Sequence, residues 1–447
     1  MKQSADLVCA NPKCGKKFPI KSFNIRCDKC DFLLDVNYKD APSTKLKDVF
    51  YERRNPQGSI YNESGVWRFR ELLNFCEIDT EDLDQCSKFL VSLDGAEGRQ
   101  SKPYHMSKVS NFINIDNENL MFQPEGYNPS GSFKDNGMST AVTHAKMMGA
   151  KKIICASTGN TSASAGMFAA NENMECDVYI PDGQIAPGKL SQAYQFGTQM
   201  IKIHGNFDDA FTKSLEAAKQ VGSYTVNSVN PFRIEGQKTI PFRALEFLNW
   251  DVPDWIVYPG GALGNTSSCG KSLIELHKWG WIKKIPRIAV INATGANTLY
   301  QLYNGKFEDE KLRWNNGVPN LELIEKYYNR MNQDESLKPK TKATAIQIGK
   351  PANITKGLRA LEFTNGVVIQ VSDKEMLDGM STVGLNGFDC EMASGATVAG
   401  IKKLLDDEII KKDDKIIGVL TGRQKEPMLP IEYHNDPSNR FAVPPRS

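Results

Sequence analysis

Asn128-Pro-Ser-Gly-Ser-Phe-Lys134-Asp-Asn-Gly-Met138 sets one lysine in a glycine- and serine-rich turn, directly ahead of a helical run over Ser139 to Met148. An amine becomes a catalyst when it is held beside an electrophilic carbonyl and partly desolvated, because desolvation lowers its pKa and frees the lone pair. Gly131 permits the tight turn, and Ser130 or Ser132 suits a helix cap or the seat of an anion at the helix start. Most lysines are only solvated surface charges, so the meaning of Lys134 depends on its surroundings in the chain.

Two further loops have the same construction. Ile153-Ile-Cys-Ala156 leads into Ser157-Thr-Gly-Asn-Thr-Ser-Ala-Ser-Ala-Gly166, and Trp255-Ile-Val-Tyr258 leads into Pro259-Gly-Gly-Ala-Leu-Gly-Asn-Thr-Ser-Ser268. In both, an apolar run gives way to small residues and then to a helical pattern. Small residues let main-chain N–H groups approach a ligand, and the helix behind them presents its positive end. One helix terminus contributes only about 0.3–1 kcal/mol, so a phosphate calls for several donors. Gly260, Gly261 and Gly264 with Asn265, Thr266 and Ser267 supply them. Either loop alone reads equally well as a tight strand-to-helix turn. A dinucleotide site fits less well, because Gly260 to Gly264 lacks the Gly-x-Gly-x-x-Gly spacing.

From about Ala141 onward, strand-like and helical patterns alternate. The strand-like runs are Lys152–Ala156, Asp177–Ile180, Gln199–Ile203, Trp255–Tyr258, Arg287–Ile291, Val367–Val371 and Lys415–Leu420. Helical patterns between them include Ala186–Phe196, Asp208–Val221, Ile234–Asn249 and Ala393–Leu405. This alternation predicts an α/β fold with parallel sheets and right-handed crossovers, its ligand loops at the carboxyl ends of the strands. The charged stretch from Glu308 to Thr344 has no clear period and reads as an exposed insertion. The proline-rich tail after Pro427 reads as an extended surface arm.

The 447 residues suffice for two or three domains with a large buried core. A net charge of +2 gives no reason to expect nucleic acid or an anionic membrane, and no apolar run approaches a membrane span. Ten cysteines scattered over this length read as reduced thiols of a cytoplasmic protein. Four of them stand apart: Cys9-x4-Cys14 and Cys27-x2-Cys30 form two knuckles in a short polar segment. Four thiolates so spaced suit a structural tetrahedral zinc, which would supply folding free energy that a small core cannot. Reduced, unliganded thiols are the other reading.

Together the lysine turn and the two loops resemble the pyridoxal-phosphate enzymes of the tryptophan-synthase-β fold type, and within them the threonine synthases. Asn227-Ser-Val-Asn-Pro-Phe-Arg-Ile-Glu-Gly-Gln-Lys-Thr239 carries that resemblance most closely. Val252-Pro-Asp-Trp255, Ala345-Ile-Gln-Ile-Gly349, Cys390-Glu-Met-Ala-Ser-Gly-Ala-Thr397 and Thr421-Gly422 follow in the family's order. The resemblance spans about Ser64 to Pro427. It implies a zinc-ribbon-like module over 1–40, a large α/β domain over 41–128 and 229–447, and a small α/β domain over 129–228. It further implies that Lys134 holds pyridoxal phosphate covalently and moves protons on the substrate. Gly260, Gly261, Ala262, Leu263, Gly264 and Asn265 would hold the cofactor phosphate, Asn160 the phenolic oxygen, and Thr421 the ring nitrogen. A hydroxyl in that last place would leave the nitrogen largely unprotonated. Ser157, Thr158 and Thr161 would hold the substrate carboxylate, with Asn227, Ser228 and Arg233 at its phosphate. From the residues alone, Arg233 reads equally as an ion-pair partner of Glu235 or Glu246.

The substrate implied is a phosphorylated amino acid, O-phospho-L-homoserine, which loses phosphate and gains water to give L-threonine. A homodimer is compatible with the sequence. Two departures from the family pattern keep other readings open. Thr421-Gly-Arg-Gln-Lys-Glu-Pro427 stands where the family has Thr-Gly-His-Gly-Leu-Lys, and Ser92-Leu-Asp-Gly-Ala-Glu-Gly-Arg-Gln-Ser-Lys-Pro-Tyr104 replaces Leu-Gly-Glu-Gly-x-Thr-Pro-Leu. One alternative is β-replacement on O-phosphoserine, as in cysteate synthase. Another is an inactive zinc-ribbon binding protein on the same scaffold.

Overall fold

In chain order the strands are β1 (Ala5–Cys9), β2 (Lys17–Pro19), β3 (Leu34–Tyr38), β4 (Leu120–Pro124), β5 (Lys152–Ala156), β6 (Glu175–Pro181), β7 (Gln199–Ile203), β8 (Ser223–Thr225), β9 (Trp255–Pro259), β10 (Arg287–Ala293), β11 (Trp314–Asn315), β12 (Val318–Pro319), β13 (Val367–Val371) and β14 (Ile416–Leu420). The structure, a computed structural model, describes residues 5–54, 59–76, 89–182, 187–205, 207–220, 222–315, 318–426 and 428–442. It divides into two compact units, one of Met1–Gln100, Asn128–Glu246 and Trp279–Trp281, the other of Ser101–Tyr127, Phe247–Lys278 and Ile282–Ser447. Among the described residues no helix is long and apolar enough to cross a membrane.

In the first unit a parallel sheet runs in the order β7-β6-β5-β8. Ile153 to Ala156 in its interior are all buried, as a strand covered on both faces requires. Ala156 and Thr225 end adjacent strands, so the loops after β5 and β8 leave the same edge of the sheet. A smaller antiparallel sheet, β2-β1-β3, carries the cysteine knuckles. Tyr38 of β3 donates its hydroxyl to Glu235 at 2.5 Å, and the same carboxylate pairs with Lys238 at 2.6 Å with both side chains wholly buried. His144 makes a second tie. Its Nε2 lies 2.8 Å from the Ile20 carbonyl, which can only accept, so Nε2 carries the proton and Nδ1 accepts from the Tyr224 hydroxyl at 2.7 Å.

In the second unit five parallel strands run β13-β10-β9-β14-β4. Its core gathers Phe122, Trp255, Val257, Ile291, Val371 and Ile401. β9 and β14 are neighbours, with Val257 opposite Gly418. The loops following them, Gly260 onward and Thr421 onward, therefore emerge at the carboxyl end of one sheet. β4 lies upstream of Ala141, where the alternation was first legible.

Four local expectations differ from the structure. Glu308 to Thr344 is not irregular throughout: Leu321–Gln333 is a helix, N-capped by Asn320, whose Leu323, Ile324, Tyr327 and Met331 form a buried stripe. After Pro427, itself outside the described residues, Met428–Asn435 is helical where an extended arm was expected. The helix expected from Ser139 begins at Lys134. Ile234–Asn249 is two helices, Pro231–Gln237 and Thr239–Phe247. Pro241 lacks the N–H that would bond to Gln237, and its ring crowds that carbonyl, which breaks the run. The start expected at Ala186 lies outside the described residues.

Burial pushes the His144 imidazole from 6.5 down to about 4. The unfolded chain takes up this proton below its higher value and the folded chain only below its lower one. The neutral ring's contribution is thus complete above the unfolded value and is lost as pH falls through that window. The whole window corresponds to about 3 kcal/mol. Urea denaturation between about pH 7 and about pH 4.5 should show a shallower acid loss in His144→Gln than in the natural protein.

Candidate active site

Lys134 is the first residue of the helix Lys134–Met147. The turn before it needs Gly131, whose φ of 86° is left-handed and whose N–H donates to the Asn128 carbonyl at 2.7 Å. The N-cap residue Phe133 makes no side-chain cap, but Ser132 Oγ accepts from Lys134 N at 3.4 Å. Asp135, fully buried, organises the rest of the turn. Its carboxylate accepts from Ser130 N at 2.7 Å, from Ser130 Oγ at 2.5 Å, and from Ser164 Oγ at 2.6 Å. Lys134 is half-buried, with Nζ over the Phe133 ring at 3.6 Å.

Ser164 belongs to the helix Asn160–Asn171, so Asp135 ties the lysine turn to the loop after β5. Ser157, Thr158, Asn160 and Thr161 are all partly exposed at that helix start. Gly159, its N-cap, makes no side-chain cap, and a Cβ there would meet nothing within 4 Å. The loop after β8 lies alongside. Asn227 spends its amide on the main chain of Ala156, accepting from N at 3.0 Å and donating to O at 2.9 Å. Ser228 follows, half-buried. Asn230 caps the helix Pro231–Gln237 through Phe232 N at 2.8 Å.

That helix presses against the helix of Lys134. A Cβ on Gly236 would stand 1.9 Å from the Asn136 carbonyl, and one on Gly137 would stand 2.8 Å from Arg233 Nε. Two glycines therefore set the separation and bring Arg233 to the lysine helix. Arg233 is 1 % exposed; Nη1 donates to the Val226 carbonyl at 2.7 Å, whereas Nε and Nη2 have no protein partner. Neither acid expected as an ion-pair partner engages it: Glu235 is taken by Lys238 and Tyr38, Glu246 by Arg54 and Arg68. Burial lowers the Arg233 guanidinium to about 10, against the opposing pull of Cys155 and Asp135.

In the second unit the loop after β9 is stitched down: Gly260 N donates to Ile291 O at 2.7 Å, and Asn292 Nδ2 donates to Gly260 O at 2.8 Å. A Cβ on Gly260 would stand 2.5 Å from Val290, so only glycine lets this backbone lie so low. Asn353 N donates to Ala262 O at 3.1 Å. Leu263 holds φ at 64°, an uncommon conformation for leucine that the surrounding bonds enforce, before the helix Gly264–Lys278 begins. Behind the loop, Asn265 Oδ1 and Thr266 Oγ1 are buried without a protein partner. At the end of β14, Thr421 donates to Glu391 Oε1 at 2.9 Å and lies 3.2 Å from Ser394 Oγ. Arg423 is exposed.

The structure thus brings Lys134, the Ser157–Thr161 loop, Asn227, Ser228 and Arg233 into one unit, and the Gly260–Asn265 loop and Thr421 to one sheet end of the other. Sequence reasoning passed over Asp135, Ser164, Gly137 and Glu391. Asp135 sits beside the lysine and Glu391 is the second residue of a matched block, but the partners Ser164 and Thr421 lie 29 and 30 residues away. In the N-terminal module, Cys9, Cys14, Cys27 and Cys30 place their four Sγ atoms within 4.8 Å of one another.

A family model described as pyridoxal-phosphate dependent enzyme matches residues 103–422. The threonine synthase of Methanocaldococcus jannaschii is 34% identical over 427 residues, 95% of this chain and 94% of the relative. That of Bacillus sp. (strain ULM1) is 40% identical over 309 residues, 69% of this chain and 78% of the relative. Among solved structures, the processed form of threonine deaminase isoform 2 from Solanum lycopersicum matches with a TM-score of 0.57 at 17% identity, covering 79% of this chain and 93% of that one, a likeness of fold alone. The chain belongs to the pyridoxal-phosphate-dependent enzyme family, and within it to the threonine synthases.

Gly236→Ala tests the helix approach. A methyl group 1.9 Å from a main-chain oxygen must push the helices apart, and a loss of roughly 1–3 kcal/mol is expected in denaturant titrations. Gly149→Ala, where a Cβ would meet nothing but φ is 68°, gives the backbone-strain control.

Proposed function

We propose that this lyase takes O-phospho-L-homoserine as substrate, releasing phosphate and adding water to give L-threonine. The observation that carries the substrate reading is Arg233, a buried guanidinium with two nitrogens unmatched by protein acceptors. A buried charge left uncompensated costs about 3–5 kcal/mol, and a phosphate is the dianion that a guanidinium fork fits best. Ser228 would share that phosphate. Asn227, its amide spent on Ala156, would act there by holding the loop.

The second unit suits the cofactor's phosphate. Thr266 Oγ1, a hydroxyl able to donate, is buried without a protein partner, and the Gly260–Leu263 backbone lies low at a helix start. In this reading Gly260, Gly261, Ala262, Leu263, Gly264 and Asn265 bind it, Asn160 meets the phenolic oxygen, and Thr421 the ring nitrogen. Pyridoxal phosphate, when bound, supplies the electron sink for carbanion chemistry beside the substrate nitrogen. Lys134 holds the cofactor and moves protons at the substrate's Cα and Cβ. Ser157, Thr158 and Thr161 orient its carboxylate at the uncapped helix start.

The same module that carries the cysteines would hold one structural zinc. Tetrahedral zinc with sulfur at about 2.3 Å needs sulfur–sulfur separations of about 3.8 Å. Cys9–Cys30 at 3.4 Å and Cys14–Cys27 at 3.8 Å lie close to that. Reduced thiols held so close also accord with a cytoplasmic location. Elemental analysis of protein purified without chelator should find about one zinc per chain; none would refute the metal site.

The substrate test compares two phosphoesters. Phosphate and threonine should be released from O-phosphohomoserine, with O-phosphoserine plus sulfite a poor pair. Arg233→Ala should lower kcat/KM by about thirty- to a thousand-fold, equivalent to about 2–4 kcal/mol. Arg233→Lys should restore only part, because an ammonium cannot reproduce the fork. A large preference for O-phosphoserine would overturn the substrate reading while leaving the family intact.

A further inference from the structure

We propose that Glu97 and Gly98 are positioning residues for Lys134, holding both ends of the turn that carries it. This rests on the reading of Lys134 as the residue that holds the cofactor. The pair lies in Ser92–Tyr104, the stretch that departs from the family pattern. Glu97 is wholly buried, and three donors converge on its carboxylate. Oε1 accepts from Ser64 Oγ at 2.6 Å and from Ser92 Oγ at 2.7 Å, and Oε2 accepts from Leu93 N at 2.9 Å. A buried carboxylate satisfied in this way is fixed in place, because moving it breaks several charge-assisted bonds at once.

From this anchor two routes reach the lysine turn. The first is direct. Gly98 N donates to Asn128 Oδ1 at 2.8 Å, and the Asn128 carbonyl accepts from Gly131 N at 2.7 Å, which closes the left-handed bend ahead of Lys134. The second starts from the main chain. Gly65 N donates to the Glu97 carbonyl at 2.7 Å, and the Gly65 carbonyl accepts from Arg243 Nη1 at 2.9 Å. Arg243 Nη1 also donates to Asn136 Oδ1 at 3.1 Å, and Asn136 Nδ2 donates to the Phe133 carbonyl at 3.0 Å. Asn128 opens the turn and Phe133 directly precedes the lysine, so the two routes bracket it. Glycine at 98 lets the bracket close. Its φ is 68°, and a Cβ there would stand 2.6 Å from Arg243 Nη1 and 3.0 Å from Asn136 Oδ1. A reacting group misplaced by about 1 Å can lose roughly a hundredfold in rate, so a rigid turn serves the chemistry as well as the fold.

The test uses the full chain loaded with pyridoxal phosphate. Glu97→Gln keeps the shape of the side chain but turns one acceptor into a donor, which then faces Leu93 N or a hydroxyl. On the better phosphoester substrate it should lower kcat about tenfold or more, while KM changes by no more than about twofold. The pH midpoint of the visible band that reports the link between Lys134 and the cofactor should move by about half a unit or more. Gly149→Ala, strained just beyond the far end of the Lys134 helix, should leave both readings as they are. Ser64→Ala removes one donor and leaves the charge. It should show the same pattern at about threefold in kcat, and it carries the test if Glu97→Gln does not fold. An unmoved kcat or midpoint, a loss carried by KM, or a loss that Gly149→Ala reproduces overturns the proposal. Lys134→Ala separates this from the reading beneath it. If that variant still retains the cofactor covalently after borohydride reduction, Lys134 does not hold it and the underlying reading falls. If it does not, and Glu97→Gln behaves as the natural protein, only the bracket falls.

Discussion

A guanidinium in a protein interior must be answered by negative charge or by acceptors, and Arg233 is answered by only one carbonyl. Much of the first unit serves to hold it in that position. Gly137 and Gly236 let its helix lie against that of Lys134, and Asn230 fixes where its helix starts. The nearby acids are engaged elsewhere: Glu235 is bound to Lys238, and Asp135 is held by Ser130 and Ser164. An arginine that could relax onto either acid would be satisfied without ligand. With both acids occupied, Nε and Nη2 of Arg233 are left without protein acceptors.

The parts legible in the sequence are those in which local chemistry and local structure coincide. β5, β7 and β13 have the bounds their apolar runs suggest. β7 is an edge strand with no buried residue, whereas β5 is buried on both faces and announces itself by composition. Both glycine loops sit at strand ends for the same reason. From the residues alone Arg233 reads equally as an ion-pair partner and as a phosphate ligand, and the family resemblance favours the phosphate. That choice turns on which acids are already occupied, a matter of contacts between Glu235 and Tyr38, 197 residues apart. Charged stretches misled where the stripe beneath them was sparse. Leu323, Ile324, Tyr327 and Met331 are the buried positions of a helix otherwise exposed and largely polar, and they suffice to form one buried face. Pro241 was legible as a helix breaker and was passed over.

The cysteine sheet illustrates how a small module can still matter to a buried site. Beyond its own knuckles it reaches the core through two polar ties, Ile20 to His144 and Tyr38 to Glu235. Tyr38 donates to the same Glu235 oxygen, Oε2, that pairs with Lys238 at the end of the helix that bears Arg233. A phenol donating to a buried carboxylate stabilises its charged form, so the module helps keep Glu235 committed to Lys238 and away from Arg233. By this route a metal bound at the four cysteines, as proposed above, would influence the surroundings of Arg233 without touching it. The influence passes through which buried charge is paired with which, a choice that a low-dielectric interior makes expensive to reverse.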